Sequence, residues 1–148
     1  MAQLKDLFDR DPDAVAALFS NAEKRVSQKR LKEAYVILER FATEFPEFDS
    51  GMVWYELADI FESQGDLLHA EHAYREALKY QPKYDVFLIA FGFFLWRIKR
   101  DQEAVEVLLR VQELRNLEPG LAERIQKALI AISEGQAYDE RAEEIWKW

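Results

Sequence analysis

The segment from Trp54 to Pro82 constrains the fold of this chain more than any other part. It reads WYELADIFESQGDLLHAEHAYREALKYQP. Apolar residues recur three and four positions apart on both sides of Gly65, which is the spacing of one face of an α-helix. Gly65 can adopt the left-handed conformation that ends a helix, and Pro82 blocks continuation of the second one. The segment therefore predicts two helices that pack against each other across a short turn.

The residues at these positions resemble the tetratricopeptide repeat. Its signature places Trp, Leu-Gly and Tyr in a first helix, Ala and Phe in a second, and Pro at the end. The matching residues here are Trp54, Leu57, Ala58, Phe61, Gly65, Ala70, Tyr74, Ala77 and Pro82. Ala58 stands in place of the signature's glycine and Phe61 in place of its tyrosine. The resemblance implies a helix-pair unit whose usual role is to hold other proteins.

The same pattern recurs on both sides of this best-matched repeat, residues 51–82. Residues 85–119 fit a second copy, with Ala104 about one repeat length of 34 residues after Ala70. Its turn, Lys99 to Asp101, has no glycine. Residues 12–46 fit a degenerate copy with a turn that we predict to be one residue shorter. The segment 120–148 is predicted to hold a capping helix and a helical tail from Ala137, or a degenerate fourth repeat.

These features predict an all-α chain without strands. The expected architecture is a single domain, residues 1–148, with seven or eight helices stacked as a right-handed solenoid of antiparallel pairs, the superhelix that the resemblance implies. Asp11 is expected to cap a helix that begins at Pro12. We expect the following side chains to be buried: Trp54, Leu57, Phe61, Ala70, Tyr74, Ala77, Phe91, Leu95, Ala104 and Leu108.

Charge and composition exclude several function classes. The net charge of −8 argues against nucleic-acid binding and against docking on anionic membranes, because both need a cationic surface. The apolar run from Val86 to Trp96 is shorter than the roughly 20 residues of a membrane span. It is therefore interpreted as a helix that is buried nearly all round, with no membrane insertion. The N-terminus shows no apolar signal core, so a cytoplasmic location is expected.

No group of residues in the sequence supports catalysis. The chain has no cysteine, and its histidines, His69 and His72, have no third metal ligand near them in the sequence. None of the five serines lies in a nucleophile context, and five scattered glycines form no phosphate loop. We therefore expect no enzymatic activity, no cofactor and no metal.

The resemblance implies that the first helix of each pair lines a concave groove in which a partner segment lies. Helical geometry then places the groove-facing residues one step round from the core stripe. The predicted partner-binding residues are Met52, Tyr55, Asp59, Glu62, Val86, Ile89, Phe93, Trp96 and Arg97. The set from Val86 to Trp96 is unusually apolar, and contiguous exposed apolar groups usually mark an interface.

Two kinds of cover for this apolar set stay open at this point. A partner or a second copy of the chain could cover it, as could the chain's own C-terminal helices, where Ile145, Trp146 and Trp148 form a potential self-interaction tail. The groove lacks the Lys, Asn and Arg clamp by which one tetratricopeptide subgroup binds chaperone tails. Its apolar character is compatible with another subgroup, the small secretion chaperones.

The sequence therefore predicts a protein–protein interaction module, an adaptor or chaperone that holds an apolar segment of a partner protein. The alternative is a structural scaffold subunit that forms a homo-oligomer or sits permanently in a larger complex.

Overall fold

A computed structural model describes residues 3–139 of the chain. Over this range the protein is helical and contains no strand, which confirms the all-α prediction. The helices are α1 (Leu4–Arg10), α2 (Pro12–Ser27), α3 (Leu31–Glu44), α4 (Met52–Ser63), α5 (Leu67–Tyr80), α6 (Asp85–Arg97), α7 (Asp101–Gln112) and α8 (Pro119–Ser133). Asp11 caps α2 as predicted, because its carboxylate accepts a hydrogen bond from the backbone N–H of Ala14 at 3.1 Å.

The chain divides into two compact units, Met1–Gln81 and Pro82–Trp148. In the first unit α2 packs on α3 and α4 packs on α5, while α1 lies against α2 and α3. In the second unit α6 packs on α7, and α7 packs on α8. The division falls at Pro82, the residue that the sequence analysis predicts to end the central repeat. The single solenoid domain stays a prediction.

One turn geometry ends four of the helices. A residue with positive φ follows α2, α4, α6 and α8, at Lys29 (62°), Gly65 (75°), Lys99 (64°) and Gly135 (76°). Each turn carries the same two backbone hydrogen bonds, as when Gly65 N–H donates to Glu62 O and the next residue donates to Phe61 O. This pattern satisfies carbonyl groups at the C-terminus of a helix, and the left-handed residue changes the direction of the chain. The turn after α2 has the same length as the others, so the predicted shorter turn is wrong.

Small buried residues recur at fixed distances from these turns. Seven positions before each left-handed residue stand Ala22, Ala58, Gly92 and Ala128. Five positions after the first three left-handed residues stand Ala34, Ala70 and Ala104, all without exposed surface. Small side chains at facing positions let two helix backbones approach closely. The recurrence is consistent with the predicted repeats in α2–α3, α4–α5 and α6–α7, and this division into repeats stays a prediction.

The core of α4 differs from the prediction in detail. Its buried residues are Val53, Leu57, Ala58 and Ile60, whereas Trp54 and Phe61 are only half-buried. The Phe61 ring instead faces His69, with centroids 5.3 Å apart, and Trp54 meets His72 edge-on at 6.0 Å. The imidazoles cover only part of these large rings, so the expectation that Trp54 and Phe61 are buried is wrong. The other eight residues predicted to be buried are buried.

The apolar run of α6 is buried nearly all round, as predicted. Every residue from Phe87 to Trp96 is buried except half-buried Ala90. The predicted helix from Ala137 is not present at its start, because residues 136–139 are not helical. The rest of that predicted segment lies outside the described residues.

Candidate functional site

The first helix of the central pair presents a partly open, acidic face. Along α4, Met52, Tyr55 and Glu62 are half-buried and Asp59 is exposed. The phenol of Tyr74 on α5 donates a hydrogen bond to Glu62 Oε1 at 3.0 Å, which fixes one carboxylate at the edge of this face. The predicted residues of α4 therefore remain accessible and lie among negative charges.

Two carboxyl groups meet between α2 and α4, beside this face. Burial raises the pKa of Glu56 to about 8, and the nearby charges of Glu23 and Asp59 contribute to the same rise. The pKa of Glu23 is raised as well, first by burial and then by the charge of Asp49, while its hydrogen bond with Glu56 acts to lower it. The larger rise belongs to Glu56, whose carboxyl group therefore holds a proton more readily than that of Glu23. No sequence pattern signals this pair, because the two residues are distant along the chain.

The predicted residues of α6 are mostly closed off. Ile89, Phe93 and Trp96 are buried, with Trp96 only 2% exposed, while Val86 and Arg97 are half-buried. In this conformation the apolar set does not form an open surface.

A short segment after α8 covers the end of α6. The indole N–H of Trp96 donates to the backbone carbonyl of Gln136 at 3.0 Å. The Tyr138 ring stands edge-on to Trp96 at 5.3 Å and lies 6.3 Å from the ring of Phe93. The Arg97 guanidinium lies 5.1 Å from the Tyr138 ring centroid, within the range of a cation–π contact. We call residues Gln136–Asp139 the strap.

The strap corresponds to one of the two kinds of cover that the sequence left open, the chain's own C-terminal region. Its contact residues, Gln136 and Tyr138, were not among the predicted ones. The predicted self-interaction residues Ile145, Trp146 and Trp148 lie outside the described residues. A positional signal for the strap existed, because Gly135 matches the turn glycine of the central pair and Tyr138 follows it closely.

The histidines serve local contacts. His69 Nδ1 lies 2.7 Å from Asp66 Oδ2, and both side chains are largely exposed. His72 is exposed beside Trp54. Within residues 3–139, no group of three or more His, Asp or Glu side chains is arranged to hold a metal ion. No helix of this range is long and apolar enough to cross a membrane.

A cleft of about 450 Å³ opens in the second unit near Pro82. Lys83, Arg110 and Glu113 line it, and Arg110 Nη2 donates to the Pro82 carbonyl at 3.2 Å. Cations and a carboxylate both line the cleft, so its charge selects no single class of ligand.

Comparison with known protein families gives a match over the central helix pair. The family model described as Tetratricopeptide repeat matches residues 53–84, which contain most of α4 and all of α5. The chain therefore carries a tetratricopeptide repeat at the position where the sequence resemblance is strongest, and that prediction is confirmed. A comparison with curated proteins found no significant match.

Proposed function

We propose that this tetratricopeptide-repeat chain is a protein-interaction module that holds a segment of a partner protein on the first helices of its pairs. The observation that carries the proposal is the repeat over residues 53–84, whose first helix leaves Met52 and Tyr55 partly accessible. Tyrosine supplies a large contact area at a small cost in conformational entropy. The face is suited to adaptor or chaperone work and offers no catalytic constellation.

The chemistry of α4 defines the partner segment more closely. Met52 and Tyr55 favour apolar or aromatic side chains, while Asp59 and Glu62 favour a basic residue next to them. The net charge of −8 extends this preference, since it attracts cationic segments and repels acidic ones. The expected partner segment is therefore apolar with adjacent lysine or arginine.

Site-specific photo-crosslinking tests the proposal. Tyr55 is replaced by the photoreactive residue p-benzoylphenylalanine in the chain expressed in its own cells, and crosslinked proteins are identified by mass spectrometry. Leu68 provides the matched control, because it is 81% exposed on the second helix of the same pair. We expect a small set of proteins to crosslink from Tyr55 and not from Leu68.

Two other outcomes would contradict the module. The same proteins captured from both positions would show contacts without a preferred face. Crosslinks only to other copies of the chain would instead support the alternative of a self-associating scaffold subunit. Light scattering across a range of concentrations would then give the size of the assembly.

A further inference from the structure

The contacts of the strap with α6 resemble those of a bound peptide. The indole N–H of Trp96 donates to a backbone carbonyl of the strap. The Tyr138 ring contacts the rings of Trp96 and Phe93 and the guanidinium of Arg97. Any extended segment could present that carbonyl, and any segment with a tyrosine could present that ring. Neither contact requires the covalent link to α8.

The strap also departs from the repeat pattern at this point. After the turns at Lys29, Gly65 and Lys99, the chain begins a second helix within two residues. After the equivalent turn at Gly135, residues 136–139 do not form a helix. A second helix follows each of the other three turns, whereas the turn at Gly135 is followed by a non-helical segment that contacts α6.

We infer that Phe93, Trp96 and Arg97 form a binding site for an extended segment that presents a carbonyl and, two residues later, a tyrosine. Gln136–Tyr138 is its resident and displaceable occupant. The inference rests on the proposed function, because it assumes that segments of other proteins reach the first helices of the pairs. The inference adds a second site for partner recognition, on α6. It also makes the strap a regulator of access to that site.

Competition between the strap and a partner follows from their connection. A short tether holds a ligand at an effective concentration in the millimolar range. A free segment of the same sequence therefore binds the intact protein weakly, since the site is available only in the fraction of molecules whose strap is released. A partner that makes additional contacts, for example on α4, would overcome this competition.

The first experiment supplies the strap as a separate peptide. A fluorescein-labelled peptide with the sequence of residues 134–139, EGQAYD, is titrated with wild-type protein, Tyr138→Ala and Tyr138→Phe while anisotropy is recorded. We expect Tyr138→Ala to bind the peptide at least about tenfold more tightly than wild type, because its own strap no longer competes. Tyr138→Phe keeps the ring and should behave like wild type.

Controls separate recognition from non-specific binding and from misfolding. The peptide EGQAAD, which lacks the ring, should not bind either protein. The inference would be overturned if EGQAYD bound wild type and Tyr138→Ala with equal affinity. It would also be overturned if the peptide did not bind a Tyr138→Ala protein whose circular dichroism spectrum is unchanged. Unfolding of Tyr138→Ala would show that the ring is a structural element, which also overturns it.

A second measurement uses the unaltered chain. Wild-type protein with isotope-labelled tyrosine is mixed with unlabelled EGQAYD, and the Tyr138 ring signals are followed by NMR. Displacement predicts that they move, with saturation at millimolar peptide, to the values of a free chain. Tyr138 signals that do not move on addition of the peptide refute displacement. Signals that change with protein concentration alone show that a second copy of the chain occupies the site, which also refutes the inference. Both experiments concern α6, so their failure leaves the crosslinking test from α4 unaffected.

Discussion

The carboxyl groups of Glu56 and Glu23 share a hydrogen bond across the contact between α2 and α4. The pKa of Glu56 is raised to about 8, above its ordinary value of 4.5, because burial disfavours its charge. The folded state therefore binds one proton more than the unfolded state between about pH 4.5 and pH 8. The contribution of Glu56 to stability is fully present below this window and is lost as the pH rises through it.

The first prediction is that Glu56→Gln removes this pH dependence. Glutamine cannot ionise and keeps an N–H donor for Glu23, so the variant should be more stable than wild type at pH 9 by roughly 2–4 kcal/mol, since each pKa unit corresponds to about 1.4 kcal/mol. At pH 5 the two proteins should be similar. Urea unfolding at both pH values measures the difference. Glu39→Gln, at an exposed site on α3, is the control. A wild-type stability that rises from pH 5 to pH 9 would contradict the assignment.

The second prediction concerns Gly92, where α6 meets α7. A Cβ atom added at Gly92 would lie 2.6 Å from Leu108 Cδ2 and 2.8 Å from its Cγ. Gly92→Ala should therefore destabilise the protein by about 1–3 kcal/mol through overpacking, even though alanine favours helices. Gly120→Ala is the matched control, because its nearest contact is Glu118 Oε1 at 4.0 Å, and it should be neutral or slightly stabilising. Thermal unfolding of both variants measures the difference, and equal effects would refute the close packing.

The third prediction uses the left-handed lysines. Lys99 has a φ of 64°, a conformation that disfavours side chains with a Cβ, whereas glycine adopts it readily. Lys99→Gly should stabilise the protein by about 1 kcal/mol, and the same change at Lys29 should act in the same direction. Lys127→Gly, inside α8, should instead cost about 1 kcal/mol because glycine weakens a helix interior. Chemical denaturation measures all three, and a destabilised Lys99→Gly would contradict the turn geometry.

The fourth prediction tests the buried alanine of the central pair. Ala70 has no exposed surface, so Ala70→Leu should cost about 1–3 kcal/mol because the larger side chain pushes α4 and α5 apart. Ala17→Leu, at an exposed position of α2, should change stability little. Circular dichroism melting curves provide the comparison. A neutral Ala70→Leu would mean that the helices do not approach closely there.

The sequence alone predicted those parts of the fold that rest on local pattern. The helices α4 and α5, the left-handed Gly65 and the buried Ala70 follow from spacing and from residue size. The left-handed Lys29 was not predicted, because lysine has no preference for that conformation and the surrounding helix pair imposes it.

The candidate site was predictable only in part. The partly accessible residues of α4, such as Tyr55, follow from helical geometry. The cover over Trp96 involves Gln136 and Tyr138, which are distant from it in sequence and were indicated only by the position of Gly135. The raised pKa of Glu56 likewise depends on burial and on the nearby charge of Glu23, and only the folded chain supplies both.

The strap also has a kinetic consequence. The hydrogen bonds of each turn join residues close in sequence, so every helix pair can close early in folding, whereas the bond from Trp96 to Gln136 spans 40 residues. That bond can form only after α8 has docked on α7, so it forms late in folding. By the same reasoning it breaks early when the native protein opens locally. Opening of the strap then uncovers the end of α6, while the turn hydrogen bonds of the helix pair beneath stay in place.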